Sequence, residues 1–383
     1  MANTLTGLIP TVYKAADTVM REQVGFIPSV YIDPSAEGVA KDQTLEYPVV
    51  GSYTASDVTP ASTLPNPSGV TVGYGTMSIN KVRSVQIPWN GEEQASLGGT
   101  YENVIKDQFA QAMRTLVNEI EADLFTAAKQ GASRAYGTAG TTPFATAGNL
   151  TDIAQVRKIL SDNGAWTSDM QFVMSSAAAA NIRGVQSSLF KVNEAGDARL
   201  LREGFLGNLQ GFQLHESGQI SAHTIGTGSG YLLNLTAGYA AGSTSFAVDT
   251  GSGTILAGDI LTNTKTSRDT NKYVVGSTLA ANAVGLNKPG NKVAWVNNDP
   301  VAVGASYTGN FAFQRNAIHL LTRLPKMPLG GDAAKDVQVI TDPFSGISFQ
   351  LALYGEYRQT VVEVAVAWGV KAVKSEAIAT LLG

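Results

Sequence analysis

The strongest hydrophobic pattern in the chain predicts one long helix in its first third. Apolar residues recur at every third or fourth position from Ile105 to Ala128, which is the spacing of a helix with one buried face. Thr100 suits an N-cap and Gly131 suits a stop. We expect a helix of about 30 residues and about 45 Å, long enough to form the spine of a domain, although an ordinary core helix would carry the same pattern.

The segment before this helix is expected to be extended. Prolines are frequent across residues 31–75 and exclude a helix over most of that range. Apolar residues then alternate from Met77 to Trp89, which predicts a long strand. Lys81 and Arg83 interrupt its apolar face, so the strand is not uniformly buried. This pattern is typical of a projecting hairpin that meets a partner subunit.

The middle of the chain contains two regions that differ in their hydrophobic pattern and composition. Residues 134–225 mix helical and strand patterns and predict an α/β unit. Residues 226–307 instead give short strand patterns separated by turns rich in Gly, Asn and Ser, the signature of a small β-barrel or sandwich. Because the flanking sequence lacks this texture, we expect residues 226–307 to be a domain inserted into a loop of the α/β unit.

Both ends of the chain predict simple elements. Leu8 to Met20 carries helical spacing and indicates an arm with a short helix. Near the C-terminus, alternating residues predict two strands, Ile347–Leu353 and Gln359–Trp368. The last apolar residues, Ala377–Leu382, are expected to form a short tail.

The low proportion of charged residues indicates that other subunits cover much of the surface. Charged residues are 15% of 383, against roughly 25% in typical soluble domains. A monomer is expected to carry more surface charge, so we infer that neighbouring copies cover part of the chain. The absence of cysteine excludes disulfides, thiol nucleophiles and Cys-ligated metals. A net charge of −4 offers no global basic field for nucleic acid.

No segment of the sequence indicates export or insertion into a membrane. The first 30 residues lack an apolar stretch behind a basic start, which makes a secretory signal unexpected. The most apolar run, Val361–Trp368, is too short to cross a bilayer. We therefore expect a chain that is made in the cytoplasm and has no membrane partner.

Sequence motifs for chemistry are few and incomplete. Asp249-Thr-Gly resembles the loop of aspartic proteases, but their mechanism needs two aspartates, and a turn explains the same residues. The glycine-rich stretch at 226–230 lacks the lysine and the helix of a phosphate loop. His215 and His223 have no third ligand at zinc spacing. We predict no catalytic residue, cofactor or metal.

Three short segments and the order of elements carry a resemblance. The segments are Met1-Ala-Asn-Thr-Leu, Phe313-Gln-Arg-Asn-Ala-Ile-His319 and Gly330-Gly331-Asp332. They are similar to segments of a podovirus-type subfamily of tailed-bacteriophage major capsid (coat) proteins. Residues 226–307 resemble the inserted β domain of that subfamily. The resemblance covers nearly the whole chain and implies an α+β fold, the tailed-phage major capsid fold.

The resemblance divides the chain into named parts. They are an N-terminal arm (1–30), an extended loop with a projecting hairpin (31–98), the spine helix of a peripheral domain (99–133), the first part of an axial α/β domain (134–225), an inserted β domain (226–307), the second part of the axial domain (308–340) and the C-terminal strands of the peripheral domain (341–383).

It also implies a function, partners and a location. Such proteins form hexamers and pentamers of an icosahedral shell around phage double-stranded DNA, with a scaffolding protein and a portal protein during assembly in the host cytoplasm. The alternatives are a nanocompartment shell of the same fold, a tail-tube or decoration protein, and an aspartic-type hydrolase. The candidate inter-subunit contacts are Lys81, Arg83, Trp89, Glu92 and Glu93.

Overall fold

The computed structural model describes residues 22–39, 41–50, 55, 57–58, 60, 72–186, 207–265, 269–328 and 331–383. Predictions for the arm before Glu22 and for the segment that opens at Met1 lie outside these residues. The described helices are Gly91–Leu97 (α1), Tyr101–Gly131 (α2), Thr151–Asp162 (α3) and Ser176–Gly184 (α4).

The described strands number 21. The first ten are Tyr31–Val39 (β1), Thr44–Val50 (β2), Val72–Ser78 (β3), Lys81–Asn90 (β4), Arg134–Tyr136 (β5), Met170–Met174 (β6), Asn208–Leu209 (β7), Phe212–Glu216 (β8), Ala222–His223 (β9) and Tyr231–Leu233 (β10). The others are Ser245–Asp249 (β11), Ile260–Asn263 (β12), Lys272–Ala280 (β13), Ala283–Leu286 (β14), Pro300–Val303 (β15), Tyr307–Gln314 (β16), Ile318–Pro325 (β17), Ala334–Thr341 (β18), Ser348–Glu356 (β19), Gln359–Ala372 (β20) and Ile378–Leu382 (β21).

The predicted long helix is confirmed as α2, which packs on a six-stranded sheet built around β20. On one side β20 pairs with β4. On its other side it pairs with β19 and then, further along, with β17. β18 lies outside β19, and β1 lies outside β17 in parallel. The buried residues shared by α2 and β20 are Leu116, Ile120, Leu124, Val364, Val366 and Trp368.

The close packing of α2 on this sheet explains its last residue. A Cβ at Gly131 would lie 2.3 Å from the Cβ of Ala372 in β20. Only glycine allows the helix end to approach the strand this closely. The stop predicted from the sequence is therefore also a packing contact.

A second set of strands forms the sheet of an α/β unit in the order β5-β21-β16-β6-β8-β7. The helices α3 and α4 pack against it through Ile153, Val156, Leu160, Ala178 and Ile182. The predicted tail at the C-terminus was wrong, because β21 is a fully buried strand between β5 and β16. A strand buried on both faces shows a continuous apolar run without alternation.

Six short strands between residues 231 and 303 close into a ring of hydrogen bonds. Their order is β12-β15-β10-β11-β14-β13, and the pairing of β12 with β13 completes it. The ring has a core of its own, which includes Tyr231, Leu233, Phe246, Tyr273 and Trp295. Before and after the ring the chain runs side by side, since β9 pairs with the start of β16.

The segment at 31–98, which was predicted to be an extended loop with a projecting hairpin, differs from that prediction. Its residues Gly91–Leu97 form the helix α1. The strand expected from Met77 to Trp89 is interrupted, because β3 ends at Ser78 and β4 begins at Lys81. Among the described strands β3 pairs only with β2, as a two-stranded ribbon, whereas β4 belongs to the six-stranded sheet. β1 also joins that sheet, with a register shift after Pro34.

The strands β17 and β18 lie in the same sheet as the C-terminal strands β19 and β20. The boundary predicted at residue 340 therefore falls inside β18.

Candidate assembly interface

Two of the predicted contact residues, Lys81 and Arg83, lie on β4 and face α2. Lys81 Nζ is 2.8 Å from Asp123 Oδ1, and Arg83 Nε is 3.6 Å from Glu119 Oε2. They were expected on a projecting hairpin. The structure instead places them in the sheet, so both charges find partners within the chain.

The carboxylate of Asp123 joins three elements. Its Oδ1 atom accepts a hydrogen bond from Lys81 on β4. Its Oδ2 atom accepts one of 2.8 Å from the indole Nε1 of Trp368, which is fully buried on β20. The Lys81 ammonium also lies 5.8 Å from the Trp368 ring centroid. One side chain of α2 therefore fixes both β4 and β20.

The other three predicted contact residues lie in α1 or just before it: Glu92 and Glu93 are in the helix, and Trp89 precedes it. Trp89 is 2% exposed, and its Nε1 atom donates to Gln108 Oε1 at 2.8 Å. Glu93 closes a capping box with Asn90, in which each side chain accepts from the other residue's backbone N–H. Of the five predicted residues, only Glu92 and Arg83 have exposed side chains.

The ribbon formed by β2 and β3 carries apolar side chains that the described chain leaves exposed. Leu45, Val49, Val72 and Tyr74 are 39–70% exposed. An isolated two-stranded ribbon is marginally stable in water. Within the described residues, neither β2 nor β3 pairs with a third strand.

The base of this ribbon is held on the six-stranded sheet. Lys371 Nζ on β20 donates to the carbonyl of Thr76, and it lies 5.8 Å from the ring centroid of Tyr47. Met77 and Ile79 are buried against strands of the sheet. The ribbon therefore projects from a fixed base with apolar side chains in solvent.

A buried carboxylate anchors the first described residues. Glu121 on α2 is fully buried and accepts from the N–H groups of Phe26 at 3.1 Å and Ile27 at 2.8 Å. It also accepts from Ser217 Oγ at 2.8 Å. Burial raises the pKa of Glu121, and the hydrogen bonds oppose this shift.

A second carboxylate anchor lies nearby at Glu22. It accepts hydrogen bonds from Arg114 and from Asn118 on α2. These bonds lower the pKa of Glu22 to about 2. Sequence reasoning missed both anchors, because neither carboxylate belongs to a local motif.

The histidines occupy structural positions. His223 Nε2 is 2.8 Å from Asp259 Oδ1, beside the start of the ring. His215 Nε2 lies 3.0 Å from Gln171 Oε1. Burial lowers the pKa of His215 and of His319. The described residues contain no group of three or more His, Cys, Asp or Glu that could hold a metal ion.

The protease-like motif lies in a turn at the end of β11. Thr250 adopts a φ of 57°, and its hydroxyl donates to the Asp249 carbonyl. A Cβ at Gly251 would lie 2.3 Å from the ring of Tyr231. In the described part of the chain Asp249 Oδ1 is buried and has no hydrogen-bond partner. Backbone geometry and packing therefore account for Thr250 and Gly251.

The described helices include none that is both long and apolar enough to cross a membrane.

Comparison with known proteins shows which solved structures have a similar fold. No protein-family model matches the sequence, and no curated protein is similar to it. A chain in the capsid structure of cyanophage P-SCSP1u is 11% identical with a TM-score of 0.54, and the match covers 100% of this chain and 92% of that one. The chain has a phage-capsid fold. A chain in a solved structure of Mycobacterium phage Che8 is 12% identical with a TM-score of 0.53, covering 99% and 98%.

Proposed function

We propose that this chain is the major capsid protein of a tailed bacteriophage. In this proposal, copies assemble as hexamers and pentamers into an icosahedral shell that encloses double-stranded DNA. The observation that carries the proposal is the likeness to the capsid chain of cyanophage P-SCSP1u, which extends over the full length of this chain.

The ribbon of β2 and β3 supports assembly independently of that likeness. Its exposed residues, Leu45, Val49, Val72 and Tyr74, belong to no buried cluster of the described residues. A neighbouring copy that covers them removes apolar area from water, worth about 25 cal/mol for each Å². The low proportion of charged residues favours the same conclusion.

The net charge is compatible with a shell that holds DNA without binding it tightly. Each phosphate contact made by a lysine or arginine strengthens binding to DNA. With 27 basic and 31 acidic residues the chain carries no excess of positive charge. We propose that the shell encloses DNA without specific contacts to it. We also propose that the virion is assembled in the host cytoplasm with a scaffolding protein and a portal protein.

The ring of six strands is proposed to be the inserted β domain of the podovirus-type subfamily. It has a separate core, and the chain enters and leaves it along paired strands. The backbone N–H of Ile225 lies 3.4 Å from the hydroxyl of Ser306. Adjacent ends are expected of a domain that interrupts another one.

The proposal is tested by expressing the chain alone and examining it by negative-stain electron microscopy. We expect closed shells, spirals or capsomers. Uniform particles the size of a single chain at every concentration would contradict the proposal. An enzyme cargo in place of DNA would instead indicate a nanocompartment, and stacked tubes would indicate a tail protein.

The last alternative is an aspartic-type hydrolase, in which Asp249 would activate the attacking water. Pepstatin-sensitive cleavage of a peptide substrate that is lost in Asp249→Ala would support it. We expect no such cleavage, because the aspartic mechanism requires a second carboxylate that shares a proton with the first.

A further inference from the structure

The six-stranded sheet has three strands that pair on one side only. Among the described residues β1 pairs only with β17, β4 only with β20, and β18 only with β19. Unpaired strand edges carry free N–H and C=O groups and can pair with another chain. Proteins usually prevent this with prolines, lysines or bulges on the edge.

Two of the three edges carry such protection. β1 contains Pro34, and its register shifts between Pro34 and Gly38. β4 contains Pro88 and the two cations Lys81 and Arg83. Neither edge is suited to regular pairing with another strand.

The edge of β18 is less protected, because its lysine, Lys335, and its register shift, between Ala334 and Asp336, both lie at its start. From Asp336 to Thr341 the register with β19 is regular, and β18 contains no proline. Val337, Val339 and Ile340 are 41%, 55% and 37% exposed. β-branched residues favour strand pairing, so this edge is a template for a further strand.

We propose that β18 pairs edge to edge with β18 of a second copy, antiparallel, across a two-fold axis at Gln338. This inference rests on the proposed function, since it names one surface through which copies of the shell protein meet. The contact would join two six-stranded sheets into one continuous sheet.

Self-complementarity of the sequence selects a second copy as the partner. Val337-Gln338-Val339 reads the same in both directions. In an antiparallel pair centred on Gln338, each Val337 faces the other copy's Val339, and Gln338 faces itself. Cross-strand pairs of β-branched residues stabilise a sheet.

Charge favours the same register. Centred on Gln338, Asp336 faces Ile340 and Lys335 faces Thr341, so no like charges lie opposite each other. A pair centred on Asp336 would oppose two carboxylates, which is destabilising. An interface with two-fold symmetry is self-complementary by its geometry.

The absence of native cysteine permits a direct test by disulfide formation. Gln338→Cys would place two thiols opposite each other, with Cβ atoms about 4.5–5.5 Å apart, close to disulfide geometry. The matched control is Thr341→Cys on the same strand, where the two thiols would be about 20 Å apart. Both variants are assembled and then oxidised with copper–phenanthroline.

We expect most of the Gln338→Cys chains to run as covalent dimers on a non-reducing gel, and the Thr341→Cys chains to remain monomers. Shells of Gln338→Cys that form no dimers would overturn the inference and leave the proposed function standing, as would equal dimer yields from both variants. A strand of a different protein on this edge would also give no dimer. If the wild-type chain forms no shells, the proposed function fails first.

A second measurement does not depend on oxidation. Val339→Lys places a charge in the paired edge, whereas Val293→Lys makes the same change at an exposed valine outside the six-stranded sheet. We expect Val339→Lys to raise the concentration needed for assembly by about tenfold or more, and Val293→Lys to leave it near the wild-type value. Circular dichroism checks that both monomers stay folded. Unchanged assembly of Val339→Lys would overturn the inference.

Discussion

At the scale of single residues, acidic side chains make several of the polar contacts between α2 and the rest of the described chain. Asp123 fixes β4 and β20, Glu121 fixes the backbone at Phe26 and Ile27, and Glu22 binds back to the same helix. These carboxylates connect segments that are distant in sequence. They therefore help to hold these segments on α2.

Replacement of Asp123 separates its two roles. Asp123→Ala leaves the buried indole N–H of Trp368 without an acceptor, which costs about 1–3 kcal/mol. Asp123→Asn keeps an acceptor and loses only the charge paired with Lys81, a change worth about 1 kcal/mol or less. Urea unfolding of the unassembled chain, followed by tryptophan fluorescence, should show the larger loss for Asp123→Ala. Equal losses would contradict this account.

Glu22 gives a prediction for pH. Its pKa is lowered to about 2 from a usual value of 4.5 by hydrogen bonds from Arg114 and Asn118. A lowered carboxylate pKa contributes stability above pH 4.5, and that contribution is lost as the pH falls toward 2. We expect wild type to melt about one or two degrees above Glu22→Gln at pH 7. This difference should shrink below pH 4.5; a constant difference would refute the role of Glu22.

The sequence predicts where charged and aromatic residues interrupt apolar patterns, but not what they contact. Lys81, Arg83 and Trp89 were identified by their positions on a strand, and their partners on α2 are 19 to 42 residues away. Such pairs depend on how the elements pack. Their predicted contacts with another subunit remain a prediction.

At the scale of elements, periodicity predicted α2 closely, since its observed ends at Tyr101 and Gly131 lie within two residues of the predicted range 99–133. It was less informative for β21, which is buried on both faces, and for α1, which spans only seven residues. Asn90 and Glu93, which form a capping box in the structure, are a local sequence signal for α1 that periodicity does not include.

The ring of six strands gives the clearest prediction at this scale. Most of its buried residues form a core of their own, although β13 pairs with β5 and Ile260 and Val274 reach the main core. Deletion of residues 228–305 with a short linker should therefore leave a soluble chain that keeps α2 and α3. Far-UV circular dichroism should retain the helical signal of the wild type. The matched control deletes β19 and β20, of which β20 packs against α2, and should abolish folding. Loss of all helical signal on removal of the ring would show that it is needed for folding of the rest.

At the scale of the whole molecule, the described chain combines well-packed cores with surfaces that are incomplete alone. Clusters of buried apolar residues pack on the two sheets and inside the ring. The ribbon of β2 and β3 and the edge of β18 remain open. The order of elements allowed the fold to be anticipated from the sequence, whereas the open edge of β18 required the topology, because a strand's position in a sheet is not encoded by its own pattern.

The central claim is that copies of this chain build a closed shell. Cryo-electron microscopy of particles assembled from the purified chain tests it most directly. The account predicts closed shells in which pentamers lie at the vertices and hexamers lie between them, with the β2–β3 ribbon of each copy covered by a neighbour. Particles without five-fold vertices, or shells in which the ribbon remains in solvent, would contradict it.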